Sequence, residues 1–132
     1  YESTNNLEFV WHPVSQRVML FSDKTQLNRL FTNLVQNALE AAENRDEKMI
    51  IIDERVTEDH IIVSVKDNGE GIPFVMRDKI FTPNFTTKSS GTGLGLAMSK
   101  SIAEQAQGDI WFETHAGEGS TFYVKLPLLR VV

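Results

Sequence analysis

A chain of 132 residues suits one domain, and 41% hydrophobic with 23% charged residues is an ordinary globular balance rather than a disordered, collagen-like or coiled-coil one. Thirteen basic against 18 acidic residues give a net charge of −5, which argues against the broad basic face of a nucleic-acid binder but not against a small phosphate pocket built from backbone N–H groups. With no cysteine, disulfides and thiolate metal sites are excluded.

Residues 7–11 and 17–21 read as short strands separated by the turn-like His12-Pro13-Val14-Ser15. Asp23, with Gln26 three positions on, predicts a capped helix start. Leu27, Leu30, Phe31, Leu34, Val35, Ala38, Leu39 and Ala42 then recur at helical spacing, and the helix is expected to end near residues 43–46. Residues 49–56 and 60–66 read as two strands, the second with the β-branched run Ile61, Ile62, Val63 and Val65. From Asp67 to Gly95 the periodicity fails while glycine, threonine and proline accumulate, a stretch too long for an idle connection. Helical spacing resumes over residues 94–107 through Leu94, Met98, Ile102 and Ala106, and residues 110–114 and 121–126 form a hairpin around Ala116-Gly117-Glu118-Gly119. Helices enclosed by antiparallel pairs favour a two-layer α+β sandwich, its sheet mixed but mostly antiparallel, over a doubly wound parallel sheet. No apolar run approaches the ~20 residues of a membrane span. Residue 1 is not a methionine, so a longer parent is expected.

Three groups of residues stand out chemically. Asn33 and Asn37 fall on one side of the first helix, at the border of its apolar stripe. Such amides can donate a neutral oxygen to a Mg²⁺ shell completed by phosphates and waters, or can be two solvated side chains. Asp67-Asn68-Gly69-Glu70-Gly71-Ile72-Pro73 follows a buried-type strand; its aspartate can hold a ligand amine and its glycines admit close approach, yet Asp-Asn-Gly is also plain turn chemistry. Gly91-Thr92-Gly93-Leu94-Gly95-Leu96 opens the second helix and offers free N–H groups to phosphates. Its spacing fits neither the dinucleotide fingerprint nor the P-loop. Lys88 in Thr86-Thr87-Lys88 could reach a terminal phosphate, or be a solvated loop lysine.

Taken together these groups resemble the boxes of histidine kinase catalytic domains. Asn33-Leu-Val-Gln-Asn37-Ala38 is similar to their N box, Asp67-Asn-Gly-Glu-Gly71 to the G1 box, Ile80-Phe-Thr-Pro-Asn-Phe-Thr-Thr-Lys88 to the F box and Gly91-Thr-Gly-Leu-Gly-Leu96 to the G2 box. Gly117-Glu-Gly-Ser-Thr-Phe122 and Leu126-Pro127 resemble the family's final strand, so the likeness runs from about residue 7 to Pro127 in a single domain of residues 1–132. The resemblance implies the Bergerat fold shared with gyrase B, the Hsp90 chaperones and MutL, binding ATP or ADP with Mg²⁺ under a lid over about residues 74–90. Carried over, Asp67 holds the adenine amine, Asn37 coordinates Mg²⁺, and Asn33 sits near the phosphates. Gly69, Gly71, Ile72, Thr87, Lys88, Gly91, Thr92, Gly93, Leu94, Gly95, Leu96 and Thr121 complete the nucleotide site. The lid is expected to order on nucleotide binding.

The match departs from the family at Glu40, where many members carry a lysine or arginine that meets a phosphate. The Asn-Ala-Leu-Glu-Ala form is similar to the nitrogen-regulation branch. No histidine here (His12, His60, His115) has the acidic-flanked helical setting of the family's phosphoacceptor. The resemblance therefore implies a dimeric parent, anchored in the bacterial inner membrane, with an upstream phosphoacceptor dimerisation domain, a response regulator as partner, and this domain monomeric in the cytoplasm. Competing readings are a hydrolytic ATPase of the gyrase or chaperone kind and a nucleotide-dependent module such as an anti-sigma serine kinase. The hydrolases place a glutamate base where this chain has Asn33, which cannot act as a base at neutral pH.

Overall fold

The computed structural model describes residues 6–15, 18–20, 22–83 and 95–129. Along them lie β1 (Asn6–His12), α1 (Lys24–Ala41), β2 (Glu47–Val56), β3 (His60–Asp67), a one-turn 3-10 helix (Phe74–Met76), α2 (Gly95–Gln105), β4 (Asp109–His115) and β5 (Gly119–Pro127). The strands form one sheet in the order β1-β2-β3-β5-β4. β1 and β2 run parallel, joined through α1, and the other pairs are antiparallel. The two-layer α+β sandwich expected from the order of elements is therefore present.

α1 begins where Asp23 Oδ1 accepts from the backbone N–H of Thr25 at 2.8 Å. Its inward stripe, Leu30, Leu34 and Ala38, joins Ile102 and Ala103 of α2 against Ile50, Val63, Val65, Ile110, Phe122, Val124 and Leu126 of the sheet. On β3 and β5 every second residue points into this core, as the two-residue repeat of a strand requires. α2 ends on Gln107 in the left-handed region (φ 62°), after which the N–H of Gly108 returns to Ala103 O at 2.8 Å. Glycine stands at 108 for a packing reason, because a Cβ there would lie 2.3 Å from Lys125 O.

Two expectations change. The strand read over residues 17–21 is represented among the described residues by a single bridge, Leu20 to Leu128, beside which Leu129 N–H donates to Met19 O at 2.7 Å. β1 takes its partner from β2 instead, across the α1 crossover, and of the segment after His12 the N–H of Val14 donates to Glu54 Oε1 of β2 at 3.3 Å while Leu20 meets Leu128 just past β5. The aperiodic region also contains a core anchor. Ile80 is buried, and the Phe81 ring meets those of Phe112 and Phe122 at 6.0 and 6.2 Å. Lys100 Nζ lies 5.5 Å from the Phe81 ring centre on its α2 side. Within the first part of the expected lid, Ile80 and Phe81 are thus seated on the core while Phe74 and Val75 are exposed, and residues 84–90 lie outside the described residues. Among the described residues no helix is long and apolar enough to cross a membrane.

Candidate functional site

The loop after Asp67 lies where the C-terminal end of β3 meets the end of α1. Asp67 closes β3 and is 2% exposed. Its Oδ1 accepts from the N–H of Gly69 at 2.9 Å and of Ser120 at 3.2 Å, so two fixed donors from different segments hold the carboxylate in place. The loop that follows cannot carry larger residues at its glycines. A Cβ on Gly69 would lie 2.4 Å from Ala41 O, and one on Gly71, at φ +83°, would lie 2.7 Å from His115 O. Asn68 continues the β2 ladder with its side chain, accepting from Met49 N–H at 2.9 Å and donating to Glu47 O at 2.8 Å. Ile72 N–H donates to Thr114 Oγ1 at 2.9 Å, and the Ile72 side chain packs against the core.

Asn33 and Asn37 sit one turn apart on the half-buried flank of α1. Asn33 Nδ2 donates to Gly95 O at 3.4 Å, and Ser99 Oγ donates to the same carbonyl at 2.9 Å, which ties the start of α2 to α1. A Cβ built on Gly95 would meet nothing within 4 Å. Among the described residues there is thus room beside Gly95 for a ligand to approach. The Asn37 amide supplies a neutral oxygen of the kind Mg²⁺ accepts alongside phosphates and waters. The oriented carboxylate, the open Gly95 and the paired amides fit a Mg²⁺–nucleotide.

The structure brings Asp67, Gly69, Gly71 and Ile72 into one loop and links Asn33 to Gly95. It does not bring Thr121 to them. Thr121 stands in register with Lys66 and Glu113, on the face of the sheet opposite Asp67, and Ser120, one residue earlier, makes the contact instead. Strand alternation puts the Thr121 side chain on the other face, while the contact to Asp67 comes from the backbone N–H of Ser120. Leu96 packs against the hydrophobic core. Thr87, Lys88, Gly91, Thr92, Gly93 and Leu94 lie outside the described residues. Glu40, at the family's basic position, accepts from Gln36 Nε2 at 3.3 Å. The three histidines fall in β1, β3 and β4, none on a helix. Thr114 and Arg45 were invisible to local sequence reading, because both act through contacts with distant segments.

Comparison with known proteins follows the same lines. A family model described as histidine kinase-, DNA gyrase B-, and HSP90-like ATPase matches residues 22–130. Sporulation kinase C of Bacillus subtilis is 37% identical over 110 residues, which are 83% of this chain and 25% of the relative. The signal transduction histidine-protein kinase AtoS of Escherichia coli is 40% identical over 107 residues, 81% of this chain and 17% of the relative. The chain therefore spans about a quarter or less of these curated relatives. A nucleotide-free structure of the catalytic domain of histidine kinase ThkA superposes with a TM-score of 0.80 at 36% identity, covering 92% of this chain and 79% of that one.

Proposed function

The chain belongs to the histidine kinase-, DNA gyrase B- and HSP90-like ATPases, within which it is a histidine kinase catalytic, ATP-binding domain, and we propose that it holds Mg²⁺–ATP with adenine on Asp67 and presents the γ-phosphate to an imidazole supplied by another domain. The grip of Gly69 and Ser120 on Asp67 carries this reading. A buried carboxylate that cannot turn is matched to one donor of fixed direction, and the exocyclic amine of adenine is such a donor.

At the other end, Asn33 donates to the carbonyl of Gly95, the residue that ends the glycine-rich segment assigned here to the triphosphate. Mg²⁺, held by Asn37 and phosphate oxygens, would neutralise charge on the phosphates. The transfer breaks the bond between the γ-phosphorus and its bridging oxygen and forms one from phosphorus to the imidazole nitrogen, with ADP leaving. The domain's contribution is position and charge neutralisation. None of its residues has to act as the nucleophile.

Asn33 also sets the outcome against water. Its amide donates to Gly95 and cannot take a proton, so the isolated domain is a kinase module rather than a hydrolase. The imidazole belongs to a dimerisation domain of a longer, dimeric sensor protein anchored at the inner membrane, with this domain on the cytoplasmic side where ATP is available. A response regulator is the next acceptor. Titration calorimetry with Mg²⁺–ATP tests the core of the proposal, and no heat of binding at millimolar nucleotide would overturn it. Phosphate release by the isolated domain should stay near background, and turnover at about 1 s⁻¹, an ordinary enzymatic rate, would favour the hydrolase.

A further inference from the structure

Arg45 lies in the turn between α1 and β2, outside all four boxes. Its Nε donates to Asn68 O at 2.9 Å, and its Nη2 donates to Gly69 O at 3.1 Å and Gly117 O at 2.8 Å. One planar, permanently charged fork therefore gathers carbonyls from the loop after β3 and from the β4–β5 turn. Those two segments are already joined by Gly117 N–H to Glu70 O at 2.8 Å. They also meet too closely for a side chain, since a Cβ on Gly119 would lie 2.1 Å from Asp67 O. Arg45 closes the remaining side.

The first of these bonds reaches the carboxylate. The carbonyl of Asn68 and the N–H of Gly69 belong to one trans peptide group and point in opposite directions. Arg45 pulls on the oxygen at one side of that plane, and the N–H at the other side donates to Asp67 Oδ1 at 2.9 Å. A cation on the carbonyl polarises the peptide and strengthens its donor. Arg45 thus holds the plane of the peptide that supplies one of the two donors to the Asp67 carboxylate, the other being the N–H of Ser120.

We propose that Arg45 is a positioning residue for base recognition, which acts through the Asn68–Gly69 peptide to aim Asp67 and so sets the preference for a purine bearing a 6-amino group. The inference rests on the assignment of Asp67 to the adenine amine. It gives this chain a determinant of base selection that the box residues do not contain.

The test compares the wild type with Arg45→Met, which keeps the length of the stem and removes the donors, and Arg45→Lys, which keeps a charge without the fork. Calorimetry measures ATP and inosine triphosphate, whose 6-carbonyl replaces the amine. In Arg45→Met the dissociation constant for ATP should rise about tenfold, as loss of one well-directed charge-assisted bond implies, while that for inosine triphosphate changes little. Arg45→Lys should recover part of the preference and serves as the reporter if the methionine variant does not fold. A merely structural arginine would weaken both nucleotides alike and leave their ratio unchanged, which would overturn the proposal. Amide exchange without nucleotide separates this from failure of the Asp67 assignment. Gly69 and Gly117 should exchange faster in both variants against an unchanged core, and unchanged exchange there would remove the clamp whatever the nucleotide data. A wild type that binds both nucleotides equally would instead overturn the base assignment and, with it, the role in selection.

Discussion

Replacing Asp67 with asparagine tests the site at its centre with little steric change. The asparagine oxygen can keep the two N–H groups of Gly69 and Ser120, at 2.9 and 3.2 Å in the wild type, so these two bonds to the loop are retained. The NH2 group then stands where the second carboxylate oxygen was, and it faces the adenine amine donor to donor. Loss of a hydrogen bond to a charged acceptor is worth about 1.5–3 kcal/mol, which corresponds to a rise of roughly 10- to 150-fold in the dissociation constant for ATP. Inosine triphosphate carries an acceptor at that place and should gain relative to ATP in Asp67→Asn. Calorimetry of both nucleotides on both proteins, with thermal melting as the control for folding, reads the two changes together. An ATP affinity unchanged in a variant that melts normally would refute the placement of adenine on Asp67.

Gly69→Ala should lower the melting temperature and weaken nucleotide together, because a Cβ 2.4 Å from Ala41 O forces backbone to move, and overpacking of this kind costs about 1–3 kcal/mol; a fully stable variant would show that the loop can yield. Ile80→Ala should destabilise the fold by about 2–5 kcal/mol in a denaturant titration, the cost of emptying a buried site. By the same anchoring, hydrogen exchange of residues 79–82 should already be slow before Mg²⁺–ATP is added, and a large gain in protection on binding would mean that the ligand makes the anchor. Tyr123 donates to Glu113 Oε1 at 2.6 Å, and this hydrogen bond, followed by burial and the Glu113 charge, raises its phenol above the ordinary 10.0. A raised pKa on an acid that ionises to an anion favours the neutral form in the folded state, so the small stabilisation is present below pH 10 and is lost as pH rises through the folded value. Ultraviolet titration should show that step move down in Glu113→Ala, which removes both acceptor and charge, and no movement would discount the bond.

Much of this was legible because it is written locally. The apolar period from Leu27 to Ala42 set α1 and placed Asn33 and Asn37 on its border, and the β-branched run before Asp67 marked where β3 would end. What escaped was whatever depends on the partner. The face that Thr121 presents could not be read from sequence alone, because it follows from where β5 comes into register with β3. Ile80 and Phe81 show no period as two adjacent apolar residues, and become a core anchor through Phe112 and Phe122 on strands far along the chain. Arg45 carries no local sequence signal, since its three acceptors are backbone carbonyls brought to it by the fold.

The two ends of the segment between the core anchor and α2 are fastened independently, at Ile80 and Phe81 on one side and by Asn33 and Ser99 on Gly95 at the other. Chain length between fastened ends enters the free energy through closure entropy, and doubling such a connection costs only about 0.6 kcal/mol. Insertions after Pro83 should therefore be tolerated by the scaffold, and a library of lengthened or rewritten segments could be screened without rebuilding the sandwich.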